Sequence, residues 1–279
     1  MEGGKIQAVT TDGLTLHGFA AQPDSRKLRI AVLVIHGIGE HHGRYSRVFD
    51  FLLARDFAVA SFDLRGHGKS DGKQGDIPHY ESLLDDIDLM TTEVRRSLGE
   101  VNVALYGHSL GANIVLNHVL RRPGTVAAAV GTAAWIRTAF APPHWKTTLG
   151  KLLRNLCPSC TVGNELDPQW ATRNADVLEE LRNDPLMHNR ISARMYFETV
   201  DAGEWALQHA GNLSVPVLLM HGTSDRYTSL EAARTFATRA GKRCTFKPWD
   251  GLYHLLHYEP EREQVLDCAA EWLLRQLRK

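Results

Sequence analysis

Short apolar runs recur along the chain at 30–35, 57–62, 101–106, 126–133, 215–220 and 244–248, each ending in glycine or a polar cluster. Between most of them lie stretches whose apolar residues return at helical spacing, at 45–55, 80–98, 112–121, 230–239 and 261–277. This alternation over short connections predicts a mostly parallel sheet with helices on both faces. Ahead of the series, 6–11 and 15–20 flank Asp12-Gly13, a hairpin signal that adds an antiparallel edge.

The alternation breaks once. About 80 residues separate the run at 126–133 from the run at 215–220, too many for a simple connection in a compact domain. The expectation is an inserted helical cap at 135–200, interrupting a catalytic domain made of 1–134 and 201–279. Within the cap, Trp145, Leu149, Leu152, Leu153 and Leu156 fall on one helical stripe. Residues 135–163 carry Arg137, Lys146, Lys151 and Arg154 and no acidic residue. Two readings stay open: the stripe packs down on the catalytic domain with its cations solvated, or it rests on a membrane or micelle surface.

Composition narrows the partners. Lysine plus arginine (32) balance aspartate plus glutamate (32), so no chain-wide basic field exists to release counterions from a polyphosphate, and nucleic acid is not an expected partner. The uncharged, alanine-rich stretch 123–136 falls short of the roughly 18 apolar residues of a membrane span. Residues 1–5 lack the apolar run and cleavage site of a secretory signal, so a cytoplasmic address is expected, with peripheral membrane contact through the cap as its variant. The four cysteines are too few and scattered for a disulfide framework. Cys157-Pro-Ser-Cys160 has Cys-x-x-Cys spacing, but no second pair or neighbouring histidine completes a zinc site, which argues against a metal or redox role.

The chemistry centres on Gly107-His108-Ser109-Leu110-Gly111, set where the run at 101–106 meets the next helix. Gly-x-Ser-x-Gly at a strand-to-helix junction puts the serine on a tight turn with its hydroxyl lifted toward solvent. A serine nucleophile needs a base, and the base an orienting carboxylate. Asp225 follows the run at 215–220 and His254 follows the run at 244–248, so both are expected at the sheet edge that carries Ser109. His257 and Asp250 compete for these roles. His254 is preferred as nearer the strand end, and Asp225 because Asp250 would have to fold back on its own loop. His108 is read as a packing residue. The N–H groups of Leu110 and of Ile38, the latter in His36-Gly37-Ile38-Gly39, are the expected oxyanion donors.

These residues, with 36–45 (HGIGEHHGRY), 62–70 (FDLRGHGKS), 183–186 (NDPL) and 251–254 (GLYH), resemble the α/β-hydrolase superfamily, and within it the monoacylglycerol lipase and lysophospholipase group. The resemblance spans nearly the whole chain. It implies a catalytic triad of Ser109, Asp225 and His254, with Ile38 and Leu110 as oxyanion donors. It also implies that Glu40, Arg44 and His257 line a head-group pocket. A surface ion pair between Glu40 and Arg44 is the alternative for those two. Asp63, Arg65 and His67 match a turn common in the superfamily and are read as structural. Two positions depart from the group: Leu181 replaces a tyrosine, and Gly111-Ala112-Asn113 replaces a double glycine, which would alter the pocket floor.

The expected activity is cofactor-independent hydrolysis of carboxylic esters through an acyl-enzyme, with monoacylglycerol the first substrate, lysophospholipid or a short-chain ester next, and no metal. Ser109 excludes the aspartate-nucleophile branch of the superfamily. A non-catalytic ligand receptor on the same fold is the alternative of another class.

Overall fold

The computed structural model describes residues 2–25 and 29–277. Its first half runs β1 (Glu2–Val9), β2 (Thr15–Gln22), β3 (Ile30–Ile35), α1 (Ser46–Leu53), β4 (Ala58–Phe62), α2 (Glu81–Leu98), β5 (Asn102–His108), α3 (Leu110–Arg121) and β6 (Ala128–Thr132). An inserted segment follows: α4 (His144–Leu156), β7 (Thr161–Gly163), α5 (Ala175–Asn183), β8 (Arg190–Ser192) and α6 (Ala193–His209). The chain then finishes with β9 (Val217–Gly222), α7 (Leu230–Ala240), β10 (Cys244–Trp249) and α8 (Arg262–Leu277).

Eight strands form one sheet in the order β1-β2-β4-β3-β5-β6-β9-β10. The hairpin pairs β1 with β2 and lays β2 antiparallel on β4, and every other pairing is parallel. Every residue of β3, β4, β6 and β9 is buried, which is why these strands read as predominantly apolar runs. Alternate side chains feed opposite layers. Leu33 and Ile35 meet α2, α3, α6 and α7 in one core, while Val32 and Val34 meet α1 and α8 in the other. Truncating one such leucine costs about 2–5 kcal/mol.

The inserted segment departs from expectation in three ways. First, α6 runs unbroken through residue 200 and buries Met195, Ala202, Ala206 and Leu207 in the main core, so a boundary at 200 falls inside a helix.

Second, of the two readings of the stripe on α4, the packed one does not hold: Trp145, Leu149, Leu152 and Leu156 are 64, 47, 53 and 75% exposed, and no residue of α4 is buried. The helix leans on α6, and beneath it lies a cavity rather than packed side chains. Two of its three cations are paired: Arg154 with Asp201 at 2.9 Å and Lys146 with Glu165, while ahead of the helix Arg137 pairs with Glu204, all three acids lying beyond 135–163.

Third, Cys157 and Cys160 are joined in a disulfide. Among the described residues no helix is long and apolar enough to cross a membrane.

Candidate active site

β5 ends at His108 and α3 starts at Leu110, leaving Ser109 alone in the junction with φ 53° and ψ −113°. Positive φ is strained for a residue with a side chain, at a cost of about 1–3 kcal/mol. Surrounding bonds hold it there: the Ser109 N–H donates to Thr132 O at 3.0 Å, and its carbonyl accepts from the N–H groups of Asn113 (3.0 Å) and Trp135 (3.1 Å). The flanking glycines are required by contact. A Cβ on Gly107 would stand 2.4 Å from Gly111 O, and one on Gly111 would stand 2.2 Å from Ile35 O.

Asp225 sits just past β9 with its carboxylate out of solvent. Oδ1 accepts from the N–H groups of Tyr227 (2.8 Å) and Thr228 (3.1 Å), and Oδ2 from Thr228 Oγ1 (2.7 Å) and His254 Nδ1 (2.8 Å). His221 Nε2 lies 3.2 Å from the same Oδ2. Burial alone would raise the Asp225 pKa, but the facing His254 and the bonds from His221 and His254 hold it well below the usual carboxylate range. Donation through Nδ1 leaves His254 Nε2 as the acceptor, the tautomer a general base needs. The imidazole is steadied by Tyr227 and His108, whose rings lie 4.9 and 4.7 Å from its own. Asp250 is exposed and binds Thr223 Oγ1 instead.

Two cavities meet at Ser109. One, about 300 Å³, is bounded by Glu40, His254, Leu181, Arg182 and Asp184. The other, about 510 Å³, is walled by apolar residues that include Trp135, Leu153, Ile191 and Phe197. Ile38 and Ser109 line both. The loop carrying Ile38 abuts the serine: a Cβ on Gly37 would lie 3.3 Å from the Ser109 Cβ. His36 shapes that loop, its Nδ1 donating to Gly37 O at 2.8 Å and its Nε2 accepting from the Leu64 N–H at 2.9 Å. No hydrogen bond among the described residues occupies the N–H of Ile38 or Leu110.

The expected head-group trio is only partly assembled. Glu40 lines the smaller cavity, its Oε2 accepting from Tyr45 OH and the Gly37 N–H, both at 2.8 Å. Arg44 and His257 stand outside the wall of either cavity. His257 is buried between the rings of Tyr45 (4.8 Å) and His108 (4.9 Å), and burial pushes its pKa down to about 3. Arg44 makes no pair with Glu40. Its guanidinium turns to Glu180 and Asp184, 3.7 Å from each, because the Tyr258 ring lies beneath it. Asp184 also accepts from His41 Nε2 at 2.9 Å, which ties the 183–186 motif to the loop after β3.

Asn113 is likewise not part of either cavity wall. It accepts from Tyr80 OH and donates to the carbonyls of Trp135 and Thr199, so it joins α2, α3 and α6. Asp63, Arg65 and His67 are structural: Arg65 grips Asp86 through two bonds of 2.7 Å, and Asp63 accepts from the His42 and Lys69 N–H groups.

Sequence reasoning missed His221, Tyr227 and Thr228. The last two had a signal, since an aspartate in a turn commonly accepts from backbone N–H groups two or three residues further on. His221 had none, because its approach depends on where β9 ends.

Residues 26–261 match the hydrolase family described as serine aminopeptidase, S33. An abhydrolase domain-containing protein of Dictyostelium discoideum is 33% identical over 245 residues, covering 87% of this chain, which spans about a quarter (26%) of that longer protein. A monoacylglycerol lipase of Mycolicibacterium smegmatis is 29% identical and covers 91% of both chains. The crystal structure of Paleococcus ferrophilus monoacylglycerol lipase superposes with a TM-score of 0.83 at 31% identity, over 99% of this chain and all of that one. Family match, sheet topology and serine turn coincide, and the chain belongs to the monoacylglycerol-lipase-like S33 family of α/β-hydrolases.

Proposed function

We propose that this ester hydrolase cleaves monoacylglycerols to fatty acid and glycerol through an acyl-enzyme on Ser109. The observation that carries the reading is the buried Asp225–His254 bond at 2.8 Å, on a histidine that shares with Ser109 a cavity continuous with an apolar one. His254 Nε2 takes the hydroxyl proton as Ser109 Oγ attacks the ester carbonyl. The oxyanion accepts from the free N–H groups of Ile38 and Leu110, the largest single source of rate enhancement in such a step. His254 then protonates the departing alcohol, and the reverse sequence with water releases the acid.

The apolar cavity supports placing the acyl chain under the segment at 135–200, which acts as a cap. The smaller cavity, with Glu40 and Asp184 in its wall, takes the alcohol. The exposed apolar face of α4 supports peripheral docking on a lipid surface, with two of its three cations already paired with Asp201 and Glu165.

A second reading has one observation in its favour. Arg182 lines the smaller cavity, is exposed, and has no ion-pair partner among the described residues, which suits the phosphate of a lysophospholipid. One hydrolysis panel decides: monoacylglycerols, diacylglycerols, lysophospholipids, p-nitrophenyl esters and an aminoacyl p-nitroanilide. Fastest turnover of monoacylglycerol is expected. Turnover of lysophospholipid with none of monoacylglycerol selects the second reading, and cleavage of the anilide alone overturns both.

A further inference from the structure

The Cys157–Cys160 disulfide closes the turn between α4 and β7. Cys157 ends α4, its N–H donating to Leu153 O at 2.8 Å, and Thr161 opens β7 immediately after Cys160. The outer side of the turn is moored to the body: Pro158 O accepts from the Arg194 N–H at 3.1 Å, and Ser159 O from Lys73 Nζ at 2.6 Å. The disulfide therefore clamps the end of α4 to a fixed point. The helix has few other anchors. None of its residues is buried, and it is held by the pairs of Arg154 with Asp201 and Lys146 with Glu165 and by the approach of Gly150 to the Phe197 ring. A segment with so little buried contact opens easily. Cys160 is exposed and forms part of the wall of the apolar cavity, together with Leu153 and Gly150 of α4.

We propose that this pair is a thiol–disulfide latch that sets α4 over the apolar cavity, so that long acyl chains bind best in the oxidised protein. The proposal rests on the reading of that cavity as the acyl site. Opening takes two electrons from a dithiol. Its thiolate attacks Sγ of exposed Cys160, the Cys157–Cys160 bond breaks, and Cys157 leaves as thiolate and takes a proton. The second thiol of the reductant then attacks the mixed disulfide, freeing Cys160 and leaving the reductant as a cyclic disulfide. Cys157 sits at the negative end of α4, which disfavours its thiolate, so the pair is built as a slow latch rather than an oxidoreductase centre. Cys244 on β10 and Cys268 on α8 lie on other elements, and no second disulfide exists among the described residues.

The full chain is compared after air oxidation and after dithiothreitol, with thiols counted by alkylation of the denatured protein and mass measurement. Steady-state kinetics are read with p-nitrophenyl laurate and p-nitrophenyl butyrate. Reduction is expected to raise KM for laurate roughly fivefold, in the low range of coupling between distinct sites, while leaving butyrate unchanged. The Cys157→Ser/Cys160→Ser double variant is expected to show the higher laurate KM with or without reductant. An unchanged laurate KM with the change in thiol count verified overturns the latch. So does an air-oxidised protein in which all four cysteines alkylate. Absence of butyrate hydrolysis in both states instead overturns the esterase reading, and the latch with it.

Discussion

His221 and His254 approach the same oxygen, Oδ2 of Asp225, at 3.2 and 2.8 Å. One imidazole faces the cavity with Ser109, while the other is fully buried with Nε2 at 3.2 Å from Thr228 O and Nδ1 without a partner. Asp225 is thus fixed from behind as well as from the side of the base. Its replacement by asparagine is expected to lower kcat about 10⁴-fold, since the amide reverses the hydrogen bond that sets the tautomer of His254. His221→Phe removes one approach to Oδ2 and leaves four other donors on the carboxylate. A roughly tenfold fall in kcat with KM unchanged is expected, about 1.4 kcal/mol. A KM effect with intact kcat contradicts a positioning role.

Acid should destabilise the fold before it touches the carboxylates. Burial pushes His36 down to about 4 and His257 to about 3, and holds His67 and His108 well below the ordinary imidazole range. These bases fold neutral and unfold protonated, so their contribution is complete above about pH 6.5 and is lost as pH falls toward their folded values. Each adds up to about 1.4 kcal/mol per pH unit within that window. Asp225, held low, keeps its charge throughout it. Burial lowers His118 and His188 as well, so calorimetric melting between pH 7 and 5 is expected to show uptake of at least four protons on unfolding at the acid end. Uptake near zero contradicts the burial of neutral histidines.

Lipid binding is expected to follow the apolar face of α4 rather than its charge. Leu152→Glu with Leu156→Glu should lower sedimentation with anionic liposomes by roughly tenfold or more, because both side chains are free to enter a lipid phase. Neutralising Lys146, Lys151 and Arg154 together should change it little, two of the three being paired already. The opposite pattern contradicts the docking face.

The apolar cavity gives a substrate-length test independent of redox state. Leu153→Trp adds volume to its wall from a half-buried position. The expected result is a KM for laurate raised about tenfold, roughly 1.4 kcal/mol, with butyrate within twofold of the parent. Equal effects on both esters place the acyl chain elsewhere.

Most of the framework was legible because strands buried on both faces leave apolar runs, as at Ile30–Ile35 and at 217–220. Ser109 was legible through the two glycines its turn demands, and Asp225 and His254 through their places just after strands. The outward face of α4 was not legible: the same stripe serves a packed helix or one roofing a cavity, and the difference lies in what stands beneath. Arg44 and His257 matched a pattern at residue level, yet the Tyr45, His108 and Tyr258 rings around them decide where their side chains go. The Cys157–Cys160 bond depended on the closure of a turn that spacing alone does not determine.

Covalent capture shows whether Ser109 is an activated nucleophile. The folded chain is treated with a fluorophosphonate, and the modified peptide is located by mass spectrometry. A single adduct on Ser109 is expected, absent in Ser109→Ala and slowed by orders of magnitude in His254→Ala, with both variants folded by circular dichroism. An adduct that survives Ser109→Ala, or a folded parent protein that takes up no probe, contradicts that role.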